Sequence, residues 1–466
     1  MAGKHSNGIL IGIFAALILS AITVLICNSL LAANPEFVST YKMIIGMGTF
    51  LGNFFLTALR MIIVPLILAS VIVGITSLGD VRKIGSIGTK TIGFYAITTA
   101  LAVGLGLFLV TIFQPGKSLS QFLAGESESS AEVVLLEGET QEQGEARQKI
   151  EQFREQFGKA DQRSKMESIE EKKEITVADL LLSFIHPNIM QAFSEGQMLP
   201  IILFALILGG ILTTLPSIQG EPVIAFFNGL NEAMMKFIHL IMYLAPIGIF
   251  GIVVNKFGEA SLSEGGIGQM IAGVASYSGV LLLGLGIHTL ITLPLLLWFL
   301  TKRNPLTYAF QMSPALLLAW SCSSSSATLP VTMESASERA GVNKKAVGFV
   351  LPLGATVNMD GTALYEAVAV IFIAQAYGVD LSALQLVLVF LTATFASIGA
   401  AGVPQAGLVM MVIVLNAVGL PIEGIEMILM IDWLLDRFRT LTNVWGDSIG
   451  AAYVGDTMYA NESTNA

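Results

Sequence analysis

Long runs of apolar residues, separated by short polar connections, recur along the whole chain. The first run, Gly8 to Ala33, has no charged residue and is longer than the apolar core of a cleaved signal peptide. It predicts a membrane-spanning helix, with a signal peptide as the alternative. Further apolar spans occupy residues 44–78, 87–113, 178–214, 222–256, 268–300, 346–378 and 421–455. The pattern predicts an all-α polytopic membrane protein with eight transmembrane helices.

Two shorter apolar segments interrupt this pattern in the last third of the chain. Each has a tip of small residues, Ser321 to Pro330 and Ser397 to Gly407, between arms too short to cross a bilayer. Irregular backbone at such depth is tolerated only where it is buried in protein or lines a cavity, so we expect two re-entrant helical hairpins. Paired interruptions of this kind point to the central binding site of a secondary transporter. A flexible linker and tight helix packing are the alternatives for the tips.

A polar stripe follows one face of the last span, in the stretch DWLLDRFRTLTNVWGD. At about 100° of rotation per residue, its polar side chains fall within an arc of roughly 100°, and Arg437 points away from that arc. The stripe consists of Asp432, Asp436, Arg439, Thr440, Asn443 and Asp447. A single charge in a lone transmembrane helix costs at least about 2.5 kcal/mol, so these groups must meet partners, water or ligands. The excess of carboxylates favours a site that takes up cations, and an internal salt bridge is the alternative.

A polar interruption from Asn358 to Thr362 divides the span before the second hairpin. Gly361 and its polar neighbours predict local unwinding, which frees carbonyl oxygens for hard cations, although a kink satisfied internally is possible. Glu366 lies four residues beyond Thr362, on the same helical face. Burial favours the neutral form of a lone glutamate, so this residue could carry a proton. The alternative is a glutamate that only hydrogen-bonds a neighbouring helix.

Composition supports the membrane setting. Hydrophobic residues make up 54% of the chain, charged residues 12%, and the mean hydropathy is +0.74, well above the needs of a soluble domain. Half of the net charge of −10 comes from a Glu-rich insertion at 127–174, which has 13 acidic and 8 basic residues and is predicted to be solvated and outside the cell. The net charge gives no sign of nucleic-acid binding. Cys27 and Cys322 have no metal-ligand spacing and indicate no disulfide. Positive charges in short connections predict that both termini lie in the cytoplasm. These charges are Lys4, Arg82, Lys83, Lys90, Lys302, Arg303, Lys344 and Lys345.

The motifs resemble the glutamate/aspartate transporter family of dicarboxylate/amino acid:cation symporters, especially its excitatory amino acid transporter branch. The match rests on SSSSATLP, LPLGATVNMDGTALYEA, ASIGAAGVPQAG and DWLLDRFRTLTNVWGDSIGA, and RMIIVPLILASVIVGI and FYAITTALAV extend it to nearly the whole chain. The resemblance implies a homotrimer in the cell membrane, in which a scaffold domain holds a transport domain that moves like an elevator.

The resemblance also implies a division of the chain. Scaffold helices would occupy 1–86 and 178–256, and transport-domain helices 87–113 and 257–304. The acidic insertion would cover 114–177, the hairpins 305–345 and 381–420, the broken helix 346–380, the last helix 421–456, and a cytoplasmic tail 457–466.

For substrate, the resemblance places Arg439 on the side-chain carboxylate of an acidic amino acid, beside Thr362. Asp436 and Thr440 would take the α-amino group. The α-carboxylate would bind Asn443 and the first tip at Ser324, Ser325 and Ser326, while Val403 and Gly407 close over the ligand through their backbone. A guanidinium fork suits a carboxylate because it can bind both oxygens at once.

For sodium, the resemblance implies three groups of oxygen ligands and no organic cofactor. The first comprises Gly354, Asn358, Asn443 and Asp447. The second comprises Thr356, Ser397, Ile398 and Ala400. The third comprises Tyr95, Thr98, Thr99, Asn358 and Asp360.

Glu366 and Arg437 match the animal-like branch, where the glutamate is associated with proton cotransport and potassium countertransport. Trp445 is bulkier than the family pattern leads us to expect, and the acidic insertion does not resemble the animal branch's external loop. The resemblance implies a sodium-coupled importer of L-glutamate and L- or D-aspartate.

Three rival functions make different demands on the sequence. An intramembrane hydrolase would need a catalytic motif, and Val444 stands where a GxGD motif needs glycine. No histidine is a visible partner for the first tip among His5, His186, His239 and His288. A neutral amino acid exchanger of the same family is expected to lack a basic residue at Arg439. A purely proton-coupled symporter would not need the set of sodium ligands.

Overall fold

The computed structural model describes residues 2–76, 86–124, 178, 182, 184–195, 197–261, 266–398 and 406–464. Within these ranges the regular structure is helical, and no strand occurs. Most of the acidic insertion, residues 125–177, and the second tip between residues 399 and 405 lie outside the described residues.

Nine α-helices occur among the described residues of the first part of the chain. They are α1 (Ala2–Ala33), α2 (Val38–Met61), α3 (Ile63–Thr76), α4 (Ser86–Phe113), α5 (Lys117–Ala124), α6 (Ile189–Glu195), α7 (Met198–Leu212), α8 (Ser217–Met242) and α9 (Ala245–Ser261). A short 3-10 turn at Pro35–Phe37 separates α1 from α2, and breaks near Ile62 and Tyr243 separate α2 from α3 and α8 from α9.

The second part adds nine more. They are α10 (Gly266–Ile287), α11 (Leu293–Thr301), α12 (Pro305–Cys322), α13 (Ser325–Glu334), α14 (Lys344–Val357), α15 (Asp360–Ala376), α16 (Ala383–Ile398), α17 (Ala406–Val418) and α18 (Ile425–Thr464). π-helical turns at His288–Thr292 and Ser335–Arg339 adjoin α11 and α13, and a 3-10 turn at Ile422–Gly424 precedes α18.

Five helical stretches of the described residues are long and apolar enough to cross a membrane. They are Ile11–Leu31, Ser39–Thr76, Ile87–Phe113, Ile267–Thr301 and Lys344–Ala376. The predicted span 222–256 is not straight, because α8 and α9 meet at an angle of 53°; as one bent span they bring the number to six. Pro246 accompanies this bend in the first turn of α9, where its missing N–H leaves no helical bond unmade. The predicted span 178–214 contains a shorter apolar helix, Leu199–Leu212.

The predicted interruptions coincide with breaks in regular helix. Asn358 and Met359 separate α14 from α15, with Asn358 in an extended conformation. Ser323, with a left-handed φ of 51°, reverses the chain between α12 and α13, and these two helices pack against each other. The helices on either side of the second tip, α16 and α17, also pack together.

Packing divides the described helices into two groups. In the first group, α1 and α2 pack on α9, and α3 packs on α7 and α8. In the second group, α15 is surrounded by α4, α10, α16, α17 and α18, while α14 and α12 pack on α18. Nearly every residue of α15 is buried, including Asp360 and Glu366. The polar interruption and the polar stripe therefore meet in the interior of the second group.

Candidate functional site

The polar stripe of α18 is buried along its length. Asp432, Asp436, Arg439, Thr440, Asn443 and Asp447 are each no more than 7% exposed. The helix presents them to α15, α14 and α12. In the described part of the chain the stripe therefore faces protein rather than solvent.

Arg439 is the buried cation of this face. Its Nη2 atom lies 2.7 Å from Asp436 Oδ1 and 3.0 Å from Asp432 Oδ1, and its Cζ atom lies 3.8 Å from the centre of the Tyr365 ring. Nε and Nη1 have no hydrogen-bond partner in the described part of the chain. A Cβ atom added to Gly407 would lie 2.5 Å from Nη1 and 3.3 Å from a methyl carbon of Thr362. One edge of the guanidinium is thus held by carboxylates, while Nη1 is directed at the start of α17.

Asn443 joins the stripe to the broken helix. Its Oδ1 atom accepts a hydrogen bond of 2.8 Å from the Gly361 N–H, and its Nδ2 donates to Thr362 Oγ1 at 3.3 Å. Gly361 allows this approach, because a Cβ atom there would lie 2.6 Å from the carbonyl oxygen of Arg439. The amide therefore bridges the region around Arg439 and the unwound backbone.

An oxygen-rich cluster lies at the unwound end of α15. Asp360 Oδ1 accepts hydrogen bonds from Thr99 Oγ1 at 2.8 Å and Thr98 Oγ1 at 3.2 Å, and Thr98 Oγ1 lies 3.4 Å from Asn358 Oδ1. Asn358 Nδ2 in turn donates to Asp447 Oδ1 at 3.0 Å. Side chains predicted for two separate sodium sites thus form one connected cluster.

Gly354 brings two further oxygens close to this cluster. A Cβ atom at this position would overlap the Asp447 carboxylate and lie 2.5 Å from the hydroxyl of Tyr95. Tyr95 donates to the Val350 carbonyl oxygen at 2.9 Å. Oxygen donors of this kind are the ligands that hard cations prefer.

The predicted second sodium group is described only in part. Ala400 lies outside the described residues, as does the side chain of Ile398, whose backbone ends α16. Thr356 Oγ1 donates to Leu353 O and Ser397 Oγ donates to Thr394 O, so each hydroxyl is bonded within its own helix. The helices that carry them, α14 and α16, are in contact.

The first tip has buried and exposed serines. Ser324 caps α13 by accepting from the Ala327 N–H at 3.1 Å, and Ser325 is also buried, whereas Ser326 is exposed. Arg437, outside the polar arc as predicted, donates through Nη1 to the carbonyl oxygens of Trp320 and Ser321 at 3.0 and 3.1 Å. It therefore ties α18 to the end of α12. In the second tip, Gly407 is described and buried, and Val403 lies outside the described residues.

Comparison with known proteins identifies this arrangement. The model of the sodium:dicarboxylate symporter family matches residues 5–457. The chain belongs to this family. It is 40% identical over 422 residues to excitatory amino acid transporter 3 of Mus musculus, an alignment that covers 87% of this chain and 78% of the relative. The protein from Bos taurus is 39% identical over 427 residues, with the same coverage. An excitatory amino acid transporter of Caenorhabditis elegans is 38% identical over 415 residues, covering 87% of this chain and 80% of the relative.

Membership of the symporter family settles the broad class. The family and these relatives are transporters, so the chain is a transporter and not an enzyme, and the intramembrane hydrolase is excluded. The apolar helices agree with a multi-pass membrane protein. Sodium is the coupling ion named for the family.

Two residues without an assigned role lie near the oxygen-rich cluster, and one of them, His288, contacts it. His288 Nε2 lies 3.4 Å from Asp360 Oδ2, and Trp445 Nε1 donates to the carbonyl oxygen of Thr289 at 3.1 Å. The sequence indicated no partner for His288, because the partner is brought close only by the packing of distant helices. For Trp445, the sequence showed only that the side chain is larger than the family pattern leads us to expect at this position.

Asp432 was predicted in the stripe without a role of its own. It is fully buried and forms an ion pair with Arg439, but its carboxylate oxygens have no partner with hydrogen-bond geometry in the described part of the chain. It adds a second negative charge beside the guanidinium.

Glu366 is fully buried on α15, six residues after Asp360. Neither carboxylate oxygen has a hydrogen-bond partner among the described residues. The alternative of a glutamate bonded to a neighbouring helix therefore has no support in the described contacts. A carboxyl group placed in this way is costly in its ionised form.

Proposed function

We propose that the protein is a secondary active symporter that imports the acidic amino acids L-glutamate and L- or D-aspartate together with sodium. The observation that carries this proposal is the buried guanidinium of Arg439. Its Nη2 is paired with Asp432 and Asp436, while its Nη1 and Nε have no hydrogen-bond partner in the described part of the chain. A carboxylate is the ligand that uses such donors best, because each hydrogen bond to it is assisted by charge.

The other substrate contacts follow from the surroundings of Arg439. Thr362 lies beside the guanidinium, and the amide of Asn443 contacts Thr362, so both border one space. Asp436 and Thr440 would bind the α-amino group, and Asn443 with Ser324, Ser325 and Ser326 the α-carboxylate. Val403 and Gly407 would close over the ligand. The absence of a side chain at Gly407 supports this role, since a Cβ atom there would meet Arg439.

The charge of the site supports coupling to cations. In the described part of the chain, Asp360, Asp432, Asp436 and Asp447 are buried, whereas Arg439 is the one arginine found buried there. A dicarboxylic amino acid brings one further net negative charge. Since uncompensated charge in a membrane interior is costly, the loaded site requires cations.

Sodium would bind through the three groups of oxygen ligands. Gly354, Asn358, Asn443 and Asp447 would form one site, and Tyr95, Thr98, Thr99, Asn358 and Asp360 another. The bonds that join Thr98, Thr99, Asn358, Asp360 and Asp447 support these two. The remaining site would use Thr356, Ser397, Ile398 and Ala400.

Glu366 would couple transport to protons and potassium. In this scheme it is protonated while the loaded transporter moves inward and releases its proton inside, and potassium then accompanies the empty transporter back. Complete burial without a hydrogen-bond partner in the described residues supports a group that moves while neutral.

The architecture we propose has eight transmembrane helices and two re-entrant hairpins, with both termini in the cytoplasm. The group formed by α1–α3 and α7–α9 would be the scaffold domain, and the group around α15 would be the moving transport domain of an elevator. Three copies would form a homotrimer. Packing that is denser within each group than between them supports this division.

Competition for uptake tests the substrate class. Purified protein in liposomes with external sodium is expected to take up labelled aspartate, with unlabelled glutamate and aspartate competing and serine not. Effective competition by serine would favour the neutral amino acid exchanger. Unchanged uptake after replacement of sodium by choline would favour the purely proton-coupled symporter.

A further inference from the structure

The junction between α10 and α11 contains a main-chain carbonyl group without a main-chain donor. The turn His288–Thr292 is π-helical, and the Leu293 N–H donates to His288 O, five residues earlier. Thr289 O would next accept from the N–H of residue 294, but that residue is proline and has none. A buried carbonyl group without a partner destabilises the folded protein.

Helix α18 supplies the missing donor from the side chain of Trp445. The indole Nε1 donates to Thr289 O at 3.1 Å, and the hydroxyls of Thr289 and Thr442 lie 2.8 Å apart. Trp445 is only 3% exposed, and its ring lies 5.7 Å from the ring of Tyr308. The π-helical turn is therefore fastened to α18 at two points.

The same turn aims His288 at Asp360. His288 Nε2 lies 3.4 Å from Asp360 Oδ2, at the long end of hydrogen-bond distance, and both side chains are fully buried. With its proton on Nε2, the imidazole donates to that oxygen. On the α18 side, a Cβ atom at Gly446 would lie 3.1 Å from the same oxygen. Thr98 and Thr99 bind the other oxygen, Oδ1. Contacts to both oxygens therefore fix the orientation of this carboxylate.

We propose that Trp445 and His288 are positioning residues for the sodium site at Asp360. Trp445 stabilises the π-helical turn through Thr289, and the turn holds His288 against Oδ2, so that Oδ1 stays directed at Thr98, Thr99 and the cation. This inference rests on the proposed function, in which Asp360 is a sodium ligand. Partners that orient a metal-binding side chain are commonly worth about 10-fold or more in metal affinity.

The test is the sodium concentration for half-maximal aspartate uptake into proteoliposomes. Trp445→Phe keeps the aromatic ring beside Tyr308 but removes the N–H. His288→Leu removes the donor, whereas His288→Gln retains a terminal N–H that can reach Asp360. We expect Trp445→Phe and His288→Leu to raise the half-maximal sodium concentration by about 10-fold, with maximal uptake recovered at high sodium. His288→Gln should stay close to the unaltered protein.

A matched control is Trp298→Phe. Trp298 lies on α11, half of its surface is exposed, and we assign it no part in the sodium site. Its sodium dependence should not change. Folded Trp445→Phe protein with unaltered sodium dependence would overturn the proposal, as would equal behaviour of the two His288 variants. If Trp445→Phe does not fold, the His288 pair decides the matter.

Asp360→Asn separates this inference from the function on which it rests. If Asp360→Asn leaves the sodium dependence unaltered, Asp360 is not a sodium ligand, and the proposed site itself fails. If Asp360→Asn shifts the sodium dependence while Trp445→Phe and His288→Leu do not, only the positioning role fails.

Discussion

At the scale of single residues, Arg439 has surroundings that a purely structural arginine would not need. Two carboxylates occupy Nη2, yet Nη1 faces the glycine backbone of Gly407 instead of a third acceptor. The ring of Tyr365 covers the guanidinium at 3.8 Å, which is attractive for a cation that is removed from water. The side chain is therefore held in place and remains able to bind one more anion.

Replacing Arg439 by Cys should change the preferred substrate. The variant loses the buried cation and gains space, so we expect aspartate affinity to fall by at least about 30-fold, corresponding to about 2 kcal/mol. Affinity for a neutral amino acid such as serine should rise. Calorimetry with both ligands measures this change, and retained aspartate affinity would refute the role of Arg439. Arg437→Cys is the control, since Arg437 is on the same helix but binds the end of α12; it should keep the preference for aspartate.

Glu366→Gln should separate two modes of transport. Glutamine keeps the shape of the side chain but fixes it in a neutral form, so the empty transporter could no longer release a proton and return with potassium. Potassium-dependent net uptake is expected to stop, whereas exchange of internal for external substrate continues. Both rates are measured in the same reconstituted variant. A parallel fall of both rates would instead indicate lost stability and a merely structural glutamate.

At the scale of elements, hydrogen bonds join the broken helix to α18. Asn443 of α18 binds the backbone of Gly361 and the side chain of Thr362, while Asp447 of α18 binds Asn358. The predicted substrate and sodium ligands therefore share the same two helices. If both ligands bind this pair, each would change the affinity for the other by the same factor, since linkage is reciprocal.

Asp447→Asn should weaken sodium and substrate binding together. The variant removes a negative charge from the oxygen-rich cluster, so we expect sodium affinity to fall and the sodium-dependent gain in aspartate affinity to fall with it. Aspartate titrations at low and high sodium measure that gain. Asp456→Asn, on the same helix but paired with Arg303, is the control and should keep the gain. An equal change in aspartate affinity with and without sodium would contradict the shared site.

Helical periodicity accounts for the elements that the sequence predicted well. The arc from Asp432 to Asp447 needs only the rotation per residue, and the break at Asn358 follows from Gly361 and its polar neighbours. The π-helical turn could not be predicted, because its sequence, HTLIT, is also compatible with an α-helix. The contact of His288 with Asp360 spans 72 positions and depends on how α10 packs against α15.

At the scale of the whole molecule, an ion pair among the described residues bridges the two groups of helices. Lys256 Nζ on α9 lies 3.0 Å from Glu426 Oε2 at the start of α18, and the two side chains are 20% and 6% exposed. If the group around α15 moves against the other group, this pair must break in each transport cycle. The pair would then favour the arrangement described here.

Glu426→Gln should therefore raise the rate of exchange while lowering thermal stability. A double-mutant cycle with Lys256→Met is expected to give a coupling energy of about 1 kcal/mol. Asp456→Asn serves as control, because the pair of Asp456 with Arg303 lies within one group; it should lower stability without raising exchange. A Glu426→Gln variant with unaltered exchange would argue against relative movement at this contact.

The most direct test of the account is uptake of labelled aspartate into proteoliposomes with gradients of sodium, protons and potassium imposed one at a time. An inward sodium gradient should drive accumulation of aspartate, an inward proton gradient should increase it, and internal potassium should be required for net uptake. Accumulation driven by a proton gradient in the absence of sodium, or no accumulation under a sodium gradient, would contradict a sodium-coupled symporter of acidic amino acids.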